Sequence, residues 1–84
     1  MLYRLFTEDM NQEEIEKIVA QFYPGFTIFK ADGFWRLQKE GSLVVEIVTE
    51  DEDAKISEIA KQIKNANAQQ SVLVQKIENH QWYV

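Results

Sequence analysis

Eighty-four residues, 45% hydrophobic with ten aromatics, make one folded domain, residues 1–84, near the lower size limit for a self-sufficient core. The absence of cysteine excludes disulfides, thiol chemistry and thiolate metal sites, and fits a reducing compartment such as the cytoplasm. A formal net charge of −5, from nine basic and fourteen acidic residues, argues against a nonspecific nucleic-acid binder and against attraction to an anionic membrane.

In chain order, Leu2 to Thr7 reads as a short strand. Asn11 with Glu14 three residues on has the pattern of a helix N-cap and capping box. Ile15, Ile18, Val19 and Phe22 then recur on one helical face, and Pro24-Gly25 stops the helix, predicted over residues 12–23. Phe26 to Ala31 and Phe34 to Gln38 are strand candidates joined at Asp32-Gly33, a favoured two-residue hairpin turn. The competing reading makes Asp32-Gly33 a bulge inside one long bent strand. A Glu40-Gly41 turn leads into Leu43 to Thr49, whose β-branched content makes it the strongest strand.

The acidic run Glu50 to Asp53 suits the positive end of a second helix, predicted over residues 53–66. Its apolar stripe is Ile56, Ile59, Ala60 and Ile63, extended by Ala66, with Asn65, Asn67 and Gln69 loosening its end. Ser71 to Ile77 is the last strand, and His80–Val84 a tail able to pair at an edge. No apolar run approaches the length of a membrane span, and MLYRLFTEDM carries acid where an export signal is apolar.

This order predicts an α+β fold: a ferredoxin-like βαββαβ sandwich, with both helices on one face of a mainly antiparallel sheet. The segment YPGFTIFKADGFWR, followed by SLVVEIV, a helix and QQSVLV, resembles the domain of unknown function 3574 family over residues 23–74. That resemblance implies a fold and brings no activity, cofactor or catalytic residue with it.

The residues themselves give no catalytic, cofactor or metal constellation. His80, the one histidine, lies on a polar turn with no paired carboxylate in the sequence, and reads as a solvated residue. Glu50 to Asp53 lacks the alternating ligands and glycine of a calcium loop and reads as helix-capping charge. Trp35-Arg36 beside Phe34 and Phe29 offers a stacking surface, but the aromatic run of an RNA-reading sheet is missing and the net charge has the wrong sign.

Strand alternation singles out one surface. Placing Tyr3, Leu5, Leu43, Val45 and Ile47 under the helices leaves Arg4, Phe6, Val44, Glu46 and Val48 on the opposite, open face, joined by Leu73 and Ile77. A monomer would then expose Phe6, Val44 and Val48 together, with Arg4 and Glu46 paired across strands. The C-terminal Trp82-Tyr83-Val84 is the alternative cover for that face.

The expected function is that of a small soluble, noncatalytic protein-interaction or oligomerisation module, with another copy or another protein as partner and neither nucleic acid nor membrane. The alternative is a small-molecule sensor or enzyme of the dimeric α+β-barrel type, in which Arg4, Glu46 and His80 would face an enclosed cavity.

Overall fold

A computed structural model describes residues 1–84. It contains β1 (Leu2–Glu8), α1 (Gln12–Ala20), β2 (Thr27–Trp35), β3 (Gln38–Val48), α2 (Asp53–Ala66) and β4 (Leu73–Ile77). The strands form one four-stranded antiparallel sheet in the order β2-β3-β1-β4. Both helices cover the same face, because one continuous core joins their stripes to the sheet. Tyr3, Leu5, Leu43, Val45 and Ile47 meet Ile15, Ile18 and Val19 of α1 and Ile56, Ile59, Ala60 and Ile63 of α2. Each fully buried aliphatic side chain stabilises the fold by roughly 1.5–3 kcal/mol before chain entropy is counted. No helix is long and apolar enough to cross a membrane.

The helix ends depart from the sequence reading. Asn11 takes a left-handed conformation (φ 55°, ψ 40°) and its side chain makes no capping bond. Capping needs an extended backbone at that residue. The Asn11 side chain instead donates from Nδ2 to Oδ1 of Asn67, 3.0 Å away at the end of α2. Helix α1 stops at Ala20, three residues early; the Gln21 and Tyr23 N–H groups still bond the Lys17 and Val19 carbonyls, and Pro24, which has no N–H, ends the ladder.

The end of α2 is locked rather than loosened. Asn67, buried, donates to Thr7 Oγ1 at 3.2 Å and to Gln69 Oε1 at 2.8 Å, while the Thr7 hydroxyl also donates to Gln69. Ala68 turns left-handed (φ 52°), the Ala68 N–H bonds the Asn65 carbonyl and the Gln69 N–H bonds the Lys64 carbonyl. That pair of bonds is a Schellman ending, with alanine where glycine is usual. The apolar stripe ends at Ile63, and Ala66 faces solvent.

The largest difference lies in the central hairpin. Neither Asp32-Gly33 nor Glu40-Gly41 is a turn: they pair with each other in register, Asp32 with Gly41 and Gly33 with Glu40, without a bulge. Residues 34–38 are not a separate strand. The chain reverses at Arg36 (φ 49°) and Leu37 (φ 65°), and positive φ at both central residues is what a type I′ turn requires. An independent strand at 34–38 would need a buried stripe. It would put Phe34, Arg36 and Gln38 on one face and Trp35 and Leu37 on the other, and neither set can face a core. Gly41 serves close approach instead, because a Cβ there would lie 3.3 Å from the Asp9 Cβ. The last strand begins at Leu73, two residues later than expected, and the His80–Val84 tail pairs with no strand.

Candidate functional site on the open sheet face

The register decides which side chains share the face away from the helices. Phe6 stands opposite Val44 on one side and Leu73 on the other, Arg4 opposite Glu46, and Leu2 between Val48 and Ile77. All seven residues singled out from the sequence, Arg4, Phe6, Val44, Glu46, Val48, Leu73 and Ile77, therefore lie on one face. The pairing of β2 adds Phe29, opposite Val44, and Thr27, opposite Glu46. Phe29 escaped sequence reasoning as part of this face because the position of β2 depends on the misplaced turn.

Exposure divides the set. Leu73 is 56% exposed and Phe29 43%, and Val48 is similarly open, while Phe6 and Ile77 are half-buried. Val44 is not part of an exposed patch. It is 2% exposed, flanked in register by Phe6 and Phe29, whose large side chains shield it. Arg4 and Glu46 form a direct ion pair, Nε to Oε2, at 2.6 Å. The face is thus apolar on either side of one polar row, Thr27, Glu46, Arg4 and Gln75, whose two charges match each other.

Trp82, Tyr83 and Val84 do not bury themselves on this face. Tyr83 does border a shallow groove of about 440 Å³ at the end of the sheet where β1 begins, with Leu2, Pro24, Phe26, Val48 and Glu46 among its walls. His80 is exposed, and no group of three or more His, Cys, Asp or Glu side chains is placed to hold a metal ion.

The acidic residues before α2 bind tyrosines. The Tyr3 hydroxyl donates to Asp53 at 2.5 Å and to Asp51 at 3.3 Å, and the Tyr23 hydroxyl donates to Glu52 at 2.6 Å. Lys76 pairs with both Asp51 and Asp53. Burial, then the hydrogen bond to Glu52, pushes the Tyr23 hydroxyl up to about 12. Burial and the bond to Asp53 raise Tyr3 likewise. The tyrosine hydrogen bonds, aided by Thr49 and by Lys76 respectively, hold Glu52 and Asp53 below the usual carboxylate range. Asp51 and Asp53, through their bonds, raise Lys76. Every one of these groups is stabilised in its ordinary charge state at neutral pH, so the cluster fastens the start of α2 to β1 and β4 and offers no proton donor or acceptor poised for chemistry.

A second exposed feature is the arm formed by β2 and β3 beyond the four-stranded part. The pairing of β1 with β3 ends at Glu8–Ser42, and four further β2–β3 pairs, from Asp32–Gly41 to Trp35–Gln38, project past it. Leu37 at the tip is 99% exposed and Trp35 66%, with Phe34 equally open. The Arg36 guanidinium sits 5.6 Å from the Trp35 ring centroid. Trp35 lies on the open-face side of the ribbon, in alternation with Phe29, Ala31 and Gly33.

No curated protein matches the chain. Residues 6–82, nearly the whole length, match the family described as a protein of unknown function (DUF3574), extending the resemblance noted over residues 23–74 in both directions: the chain belongs to that family.

Proposed function

We propose that this protein is a noncatalytic interaction module that self-associates through its open sheet face, on a ferredoxin-like sandwich. The fold assignment is supported by the βαββαβ order and by the strand sequence β4-β1-β3-β2, read from the β4 edge. The functional assignment rests on one observation: Phe29, Leu73 and Val48 remain open on a face whose apolar rows are separated only by the polar row Thr27, Glu46, Arg4 and Gln75, in which the two charges neutralise each other. Exposed apolar side chains gathered on one face in this way mark an interface. The internal ion pair lets the face enter a dry contact without an unmatched charge.

A small-molecule site finds less support. Glu46 reaches the groove beside Tyr83 but is already engaged by Arg4, and the other titratable groups on the groove are two tyrosines, Tyr23 bonded to Glu52 and Tyr83 on the exposed tail. The partner is a further copy of the chain rather than nucleic acid or membrane. We assign the protein to the cytoplasm, where a small fold that works without disulfides is at home.

Leu73→Lys tests the reading. Size-exclusion chromatography with light scattering should show the variant shifted toward monomer, with an unchanged circular dichroism spectrum. An unshifted elution and mass would contradict the assignment.

A further inference from the structure

We propose that the β2–β3 arm is a clasp that grips a second copy of this chain, an inference that rests on self-association through the open face. The four-stranded part of that face is small. Four strands at about 4.8 Å spacing and seven residues at about 3.3 Å rise give roughly 19 by 23 Å, or about 440 Å² in projection. A stable interface takes roughly 800 Å² from each partner. The missing contact has to come from elsewhere, and the arm carries the most exposed apolar side chains that continue the face: Trp35 on its open side and Leu37 at its tip.

The reach of the arm fits. A two-fold axis lying across the strands at the level of Leu5 and Val45, the centre of the β1–β3 register, lays the two open faces together with strands reversed. The four register pairs beyond Glu8–Ser42 then overhang the partner's sheet by roughly 13 Å. That length carries Trp35, Arg36 and Leu37 past the other copy's Leu2–Val48 pair, to the end where the groove bordered by Pro24, Phe26 and Tyr83 lies and where residues 49–53 turn toward α2.

Charge agrees with this placement. Residues 30–40 carry Lys30, Arg36 and Lys39 against Asp32 and Glu40, a sum of +1 in a chain of −5, which leaves −6 on the remainder. Lys30 and Lys39 are paired within the monomer, to Asp9 and Asp32, and Arg36 has only the Trp35 ring. At the opposite end of the sheet Asp51, Glu52 and Asp53 have lysine partners, and Glu50 is exposed without one. The arm thus brings an unpaired cation to the end of the partner that holds an unpaired anion. The left-handed backbone of Leu37 fits the same role: a costly conformation turns an apolar side chain fully outward, and such strain collects at functional positions.

Sedimentation velocity on the full chain and five variants tests the clasp. Leu37→Gly and Arg36→Glu should each weaken the dimer about tenfold or more, as loss of an anchor or inversion of a cross-interface charge does. Glu50→Arg should weaken it similarly, and Arg36→Glu combined with Glu50→Arg should recover to within about threefold of wild type, because the pair is re-formed with its signs exchanged. If the arm variants sediment like wild type while Leu73→Lys dissociates, the clasp is wrong and the face interface stands. A wild type that stays monomeric at every concentration overturns both. A monomer whose Trp35 fluorescence, read in a Trp82→Phe background, shifts blue on phosphatidylserine vesicles also overturns the clasp and gives the tip to a lipid surface.

Discussion

Tyr3 and Asn67 each tie an end of α2 to β1, and Tyr23 ties the segment after α1 to the start of α2, through polar groups set against the core. Tyr23→Phe keeps the ring and removes the hydroxyl donated to Glu52, so it should cost about 1 kcal/mol in urea unfolding at neutral pH. The same bond predicts the pH response. A tyrosine raised from 10.0 to about 12 by folding contributes stability that is complete below pH 10 and lost as pH rises toward 12. Lys76, also raised, adds to that alkaline loss. Glu52 and Asp53 are lowered by folding, so their contribution is present above about pH 4 and lost as pH falls further. Unfolding free energies measured between pH 9 and pH 12 should therefore decline, and decline less steeply in Tyr23→Phe; equal slopes would refute the linkage. Asn67→Ala removes the buried amide that bonds Thr7, Gln69 and Asn11, leaving Thr7 with Gln69 alone, and should cost about 1–2 kcal/mol, read by the same titration.

Two elements end in left-handed residues other than glycine, Leu37 in the hairpin turn and Ala68 at the close of α2. Ala68→Gly should raise stability by about 0.5–1 kcal/mol, since only glycine adopts that backbone without steric cost. Leu37→Gly should add a similar amount to the monomer, so thermal unfolding followed by circular dichroism at concentrations below dimer formation should show higher melting temperatures for both; a fall in either under those conditions would mean that the local backbone is not strained. Val45→Lys, by contrast, places a charge in a fully buried position and should leave no cooperative unfolding transition in circular dichroism. These contrasts show where the sequence was readable. Both helical stripes and the alternation of β1 and β3 were legible, because a period of 3.6 or 2 with a buried side repeats the same signal several times. The open face was legible for the same reason in Arg4, Phe6, Glu46 and Leu73. The hairpin turn was not. Asp32-Gly33 has high turn propensity, but Ile28 pairing with Val45 and Lys30 with Leu43 sets the register from the core outward, and the reversal falls where that register ends, at two residues with no turn preference. Val44 was misread as exposed because alternation reports which face a side chain takes, not how well its neighbours cover it. The Schellman ending carries alanine where glycine would have signalled it, and the Thr7–Asn67–Gln69 network depends on contacts sixty or more residues apart, which no local pattern encodes.

The whole molecule is a single helical layer on one side of a four-stranded sheet, with a radius of gyration of 13.0 Å and a longest dimension of 39 Å. A chain this small gains core by pairing, since it buries a smaller fraction of its own surface than a larger domain does. In the proposed dimer the uncovered face would supply the apolar area, with the Arg4–Glu46 pair leaving no unmatched central charge and the arm prolonging the face beyond the sheet. The β4 edge is five residues long and carries Lys76, which blunts strand addition there, as the proposed assembly through the face would require. Sedimentation equilibrium of the wild-type chain across a dilution series is the most direct test of self-association. The account predicts a mass that rises from the 9.9 kDa of one chain toward twice that value with concentration, fitted by a single monomer–dimer equilibrium. A mass that holds at 9.9 kDa across the whole series would contradict it.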